Sequence, residues 1–243
     1  LMAGHSKWST IKRKKGALDQ KRGKIFSTIS KEITISSRIG GKDIDSNPRL
    51  RQAVKKAKSL NMPNSNIEKA IKKGAGEIDN VVFEEVDYEG YGPYGVAVYI
   101  EAITDNKNRT VADVRHSLTK FNGSLGQAGS VAWNFNRVGI LIFDKSLHNE
   151  EELFELSIEN NAKDFIEEDD VYKMIFNHSD MYEKIDYFEK NNLNIENSFL
   201  EYVAKDFVEV DTEQEDKICK MIDFLENLED VQNVYTNYSE KKI

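Results

Sequence analysis

The stretch VVFEEVDYEGYGPYGVAVYIEAIT, Val81 to Thr104, decides how the chain is read. Both ends are rich in β-branched and aromatic residues. The second end, from Val96, is almost continuously apolar, so two strands are predicted, with the second central in its sheet. Between them Gly90 to Gly95 spells G-x-G-x-x-G. A dinucleotide fingerprint of that form needs a helix after it, whose N-terminus holds the pyrophosphate, and here a strand follows. Pro93 also lacks the backbone N–H that a phosphate cradle would use. Two readings stay open: a hairpin turn, or a recognition loop in which Tyr88, Tyr91 and Tyr94 stack on bases.

Outward from this hairpin the period changes on both sides. On the C-terminal side NRTVADVRHSLTKFNG predicts a helix with Val111, Val114 and Leu118 inward, and VAWNFNRVGILIFDK returns to strand. The alternation then repeats as helix (150–160), strand (171–176), helix (180–190), strand (199–205), a helix carrying Ile218, Met221, Ile222 and Leu225, and a last strand (231–235). On the N-terminal side the spacing is helical. Phe26, Ile29, Ile33 and Ile39 predict a helix ending at Gly40-Gly41. Asn47 and Pro48 start a second helix with Leu50, Val54 and Ala57 on one stripe, and Ser65 and Glu68 fit a capping box for a third that closes at Gly74. The expectation is an α+β multidomain fold: an N-terminal helical bundle and two small split-βαβ, ferredoxin-like sandwiches. The predicted divisions are a basic arm and bundle (1–78), one α+β domain (79–136 with 208–243), and a second inserted into it (137–207).

Charge is distributed unevenly. Residues 1 to 75 hold 19 Lys+Arg against 5 Asp+Glu, and the remaining 15 and 37 fall after them, so a net charge of -8 conceals +14 followed by -22. A basic module carried by an acidic body is the asymmetry expected of a nucleic-acid binder. The cations begin in an N-terminal arm with little apolar periodicity, where Trp8 is interleaved with Lys7, Lys12, Arg13, Lys14, Lys15, Lys21, Arg22 and Lys24. They continue on the second helix as Arg49, Arg51, Lys55, Lys56 and Lys58. An interfacial membrane helix would need a Leu/Phe stripe beneath such charges, and the arm has none. No apolar run approaches the ~20 residues of a membrane span, and the single Cys219 offers no disulfide. A soluble, cytoplasmic protein is expected.

Enzyme signatures fail in turn. His5-Ser6 has no third group to orient it, and His116 with Asp113 reads as a surface helix pair. Glu167 to Asp170 spreads its carboxylates as a solvated turn rather than a cation site. No P-loop, HExxH or CxxC is present. No catalytic residue, metal, cofactor or small-molecule substrate is expected. The loop GSLGQAG (123–129), together with Lys107, Arg109 and Arg115 on the neighbouring helix, forms a possible second contact surface, provided this loop and the Gly90 loop emerge at one end of the sheet.

These residues resemble the YebC/PmpR family, which includes the mitochondrial translational activator of cytochrome c oxidase subunit I. The resemblance is carried by MAGHSKWSTIK (2–12), KRGKIF (21–26), NPRLRQAVKKAK (47–58), NMPNSNIEKAIKKG (61–74), YEGYGP (88–93), TDNKNRTVADVRH (104–116) and GSLGQAGSVAWNF (123–135). Tyr94 stands where the family usually carries glycine. The resemblance implies three domains and a gene-expression role, described either as ribosome-associated help for difficult translation or as DNA-binding transcriptional regulation. The flexible basic arm, the loop tyrosines and the lack of a base-reading helix-turn-helix favour RNA. On that reading His5, Lys7 and Trp8 form the working tip, and the cations of the arm and second helix supply affinity.

Overall fold

A computed structural model describes residues 22–78 and 81–241. These fall into two compact units: one built from the described residues up to Asn134 and again from Ala204 onward, the other from Phe135 to Val203. Both combine helices with sheet, an α+β architecture.

The first unit opens with helices α1 (Arg22–Gly40), α2 (Pro48–Ser59) and α3 (Asn64–Gly74). Asn47 caps α2 by accepting from the Leu50 N–H, and Pro48 takes the first turn, where its missing N–H costs nothing. Ile29 and Ile33 of α1 meet Leu50, Val54 and Ala57 of α2 and Ile67 and Ala70 of α3 in one core. Two details depart from expectation. Ile39 is 63% exposed because it lies off the stripe of α1 that Ile29, Ile33 and Ser37 bury. The Ser65–Glu68 capping box does not form, since the N-cap position falls two residues earlier, on Pro63, with no side-chain cap.

The Val81–Thr104 stretch forms a hairpin of β1 (Glu84–Tyr91) and β2 (Ala97–Thr104), with Tyr88 opposite Ile100 and Tyr91 opposite Ala97. The glycine-rich segment is its turn: the Gly92 N–H donates to the Val96 carbonyl at 2.8 Å around one turn of 3₁₀ helix. Helix α4 (Lys107–Lys120) and the short strand β3 (Ser124–Leu125) follow in the same unit.

The second unit runs β4 (Phe135–Asp144), α5 (Glu150–Glu159), β5 (Asp164–Glu168), β6 (Val171–Asn177), α6 (Met181–Lys190) and β7 (Asn197–Ala204), with sheet order β5-β6-β4-β7. This is the split-βαβ connectivity. Strand β5 carries no apolar alternation, because its two apolar residues, Phe165 and Ile166, are adjacent between acidic neighbours, and periodicity does not reveal it. It forms as one arm of a hairpin with β6, Asp169 and Asp170 turning between them.

The chain then returns to the first unit with β8 (Val208–Val210), α7 (Thr212–Glu226), β9 (Val231–Thr236) and β10 (Tyr238–Glu240). The sheet order there is β3-β1-β2-β9, and β8 pairs with β10 separately. Val98 and Ile100 on one face of β2 bury against Val114 and Leu118 of α4 and Ile218, Met221 and Ile222 of α7. Helices thus cover one face of this sheet too, but in a different chain order, with the β1–β2 hairpin coming first.

Four helices are followed by asparagine in the left-handed region: Asn61, Asn122, Asn161 and Asn192, with φ between 57° and 61°. Asparagine tolerates that conformation better than other residues with a Cβ and ends these helices without glycine.

Candidate nucleic-acid interface

The cationic candidates separate into two groups. His5, Lys7, Trp8, Lys12, Arg13, Lys14, Lys15 and Lys21 lie outside the described residues, as does the side chain of Arg22. On α2, Lys55, Lys56 and Lys58 are exposed while Ala53, Val54 and Ala57 are buried, so the amphipathic pattern turns three ammonium groups away from the core. On α3, which was not among the predicted contacts, Lys69 and Lys72 are exposed in the same way.

Other candidates are engaged inside the protein. Lys24 donates to the carbonyls of Leu228, Glu229 and Val231, beyond the end of α7. Burial, then the nearby charge of Lys31, pull its ammonium down to about 8. Arg49 makes a two-pronged bridge to Glu32, with Nε–Oε1 at 2.7 Å, and reaches Glu85 at 2.6 Å, which ties α2 to α1 and β1. These two therefore depart from the expected phosphate-contact role: their donors are committed to holding the bundle against the sheet. Arg51 donates to the carbonyls of Ile44 and Asp45 from the edge of its helix.

The second surface divides similarly. Lys107 pairs with Glu84 at 2.5 Å. Arg109 belongs to a cluster around Asp230, a carboxylate that sequence reasoning did not single out. Asp230 is 3% exposed and accepts from Lys31 at 2.7 Å, Arg109 at 2.7 Å, and the hydroxyls of Thr110 at 2.8 Å and Thr104 at 3.2 Å. Burial works against its charge, but the bonds from Lys31, Arg109 and Thr110 outweigh that and hold it at about 2. The TDNKNRT motif is thus accounted for structurally: Asn106 caps α4, and Thr104, Arg109 and Thr110 clamp Asp230. No spacing rule pointed to Asp230, whose partners lie on α1, α4 and β2. Arg115 is exposed on α4.

The two glycine loops do converge. Tyr91 pairs with Ser124 and Gly90 with Leu125, and at Gly123 a side chain would strike the Tyr91 carbonyl, so glycine lets the loops touch. Beneath them lies Glu89, buried, whose carboxylate accepts from the N–H groups of Gly129 at 2.7 Å, Val131 at 2.8 Å and Ala132 at 2.7 Å. Burial opposes its ionisation, yet these three donors hold its pKa below the usual glutamate range. One carboxylate therefore shapes the whole Gly126–Ala132 loop. On the helix side of the same sheet end, Pro93, Tyr94, Lys120, Phe121, Asn122 and Lys217 line a groove of about 330 Å³. Tyr94 sits there in the left-handed region, at φ 62°.

Among the described residues no group of three or more His, Cys, Asp or Glu is arranged to hold a metal ion, and no helix is long and apolar enough to cross a membrane. Glu167 and Glu168 instead pair with Lys145 and Lys173.

Comparison with known proteins agrees with this architecture along almost its whole length. Residues 6–77 match the TACO1/YebC N-terminal domain, and residues 83–238 match the second and third domains of the same proteins. The chain belongs to the TACO1/YebC family. A family relative from Syntrophus aciditrophicus, named a probable transcriptional regulatory protein, is 50% identical over 98% of this chain and 95% of its own. Another of that name from Trichlorobacter lovleyi is 48% identical over 98% and 96%. A crystal structure of a conserved hypothetical protein from Aquifex aeolicus is similar at a TM-score of 0.84 and 42% identity, covering 93% of each chain. This TACO1/YebC chain keeps the fold with Tyr94 in its hairpin turn.

Proposed function

We propose that this protein is a nucleic-acid-binding regulator of gene expression that works in the cytoplasm as a ribosome- and rRNA-associated translation factor, relieving stalled synthesis. The observation that carries the reading is the charge separation, +14 over residues 1–75 against -22 beyond. In the described part of that segment, exposed lysines on α2 and α3 extend the basic surface. A surface of this kind gains affinity by releasing counterions from phosphates, without reading sequence. The bundle (1–78) supplies affinity through the arm from His5 to Arg22 and through the exposed lysines of α2, Lys55, Lys56 and Lys58. The sheet domain (79–136 with 208–243) and the inserted domain (137–207), both acidic, orient it. Neither a small-molecule substrate nor a cofactor enters this scheme. DNA-binding transcriptional regulation is the second reading, favoured by the names of the relatives.

Co-sedimentation with ribosomes at ~150 mM salt, beside a variant with Lys12, Arg13, Lys14 and Lys15 changed to Glu and with promoter DNA as competitor, separates the two. Wild type travelling with ribosomes, absence of the variant from that fraction and no competition by DNA support translation. Protein that stays at the top of the gradient but binds defined DNA at the same salt establishes the second reading instead.

A further inference from the structure

Trp133 is 61% exposed and Tyr91 38% exposed, an unusual pair for the surface of a single unit. Their polar tips converge on one acceptor: the Ser130 carbonyl receives Trp133 Nε1–H at 3.0 Å and the Tyr91 hydroxyl at 3.1 Å. With their donors satisfied, both rings are held in direction while part of each stays exposed to solvent. The support is rigid. Glu89 holds the N–H groups of Gly129, Val131 and Ala132. Asn134 and Asp206 exchange two hydrogen bonds, Asn134 Nδ2 to the Asp206 carbonyl at 2.9 Å and the Asp206 N–H to Asn134 Oδ1 at 2.8 Å. Lys205, itself exposed, donates to the Trp133 backbone carbonyl at 2.6 Å, which brings a cation to the same short segment.

We propose that Trp133 and Tyr91 form a stacking platform for unpaired bases of single-stranded RNA, with Lys205 meeting the adjoining phosphate. Pre-oriented aromatic faces beside one cation suit a base and its phosphate: every base has a π-face, and stacking needs no particular sequence. A protein partner's apolar anchor would gain nothing from the lysine, and duplex RNA presents no free base faces. The inference rests on the RNA-binding reading above and adds an aromatic surface that the basic segment does not contain.

The test is anisotropy of a labelled ten-residue oligouridylate with the full chain, for wild type, Trp133→Ala and Trp133→Phe, across a salt series. Trp133→Ala is expected to weaken binding roughly tenfold without changing the salt slope, because stacking releases no counterions, and Trp133→Phe to stay within about twofold. In a Trp8→Phe background Trp133 is the single tryptophan, and its fluorescence should be quenched by the oligouridylate but not by a duplex of equal length. Wild-type binding with unchanged affinity in Trp133→Ala, or equal quenching by duplex, overturns the platform and leaves the RNA-binding reading standing. If wild type binds no RNA at all, the functional reading itself falls.

Discussion

At the residue scale, function and stability compete for the same side-chain types, and a one-dimensional view cannot tell them apart. Lys24, Arg49 and Arg109 share a basic segment or motif with surface cations, but their donors are used on Val231, Glu32 and Asp230. Asp230 is the carboxylate on which Arg109 and Lys31 both converge. Changing Asp230 to Asn leaves the ammonium of Lys31, 7% exposed, without its carboxylate and should cost about 3 kcal/mol, read as a lower urea midpoint at pH 7. Its folded pKa of about 2 lies below the ordinary aspartate value of 3.8. The stabilisation is therefore fully present above about pH 4 and disappears as pH falls through about 2. The gap between wild type and Asp230→Asn should narrow over that window, and a gap that stays constant down to about pH 2 would show that the carboxylate is not what holds the cluster.

At the element scale, the sheet end is organised by a single buried carboxylate beneath a loop without regular structure. Glu89→Ala strips three backbone N–H groups of their acceptor at once, and unpaired buried donors cost about 1–3 kcal/mol. Faster amide hydrogen exchange should follow, confined to the Gly126–Ala132 loop and its neighbours, with α1 to α3 unaffected. Exchange accelerated equally in the helical core would show instead that Glu89 supports global folding. Helix and strand periods locate nearly every long element, because each has one face to bury. They do not reveal β3, β8 and β10, which are two or three residues long, or β5, whose pairing comes from a hairpin and not from apolar alternation.

At the scale of the whole molecule, the segregation of charge predicts where affinity resides. Lys55, Lys56 and Lys58 are exposed, so changing all three to Glu should leave the thermal midpoint nearly unchanged while weakening nucleic-acid binding. The salt slope should flatten by about 0.7–0.9 for each phosphate no longer neutralised. Arg49→Gln should do the reverse, lowering stability through Glu32 and Glu85 with little change in slope. Equal slopes in the triple variant and wild type would remove α2 from the interface. By itself the sequence determined the α+β class, the two strands flanking Gly90–Gly95, the bundle and its basic face, since periodicity and charge are local properties of neighbouring residues. Only the tertiary structure decided which cations face inward, that Asp230 gathers groups from three elements, and that Tyr91 and Trp133 share the carbonyl of Ser130. Apart from the local Trp133–Ser130 bond, those are pairings between residues far apart in the chain, and the free energy that selects them appears only when folding brings their partners within hydrogen-bond distance.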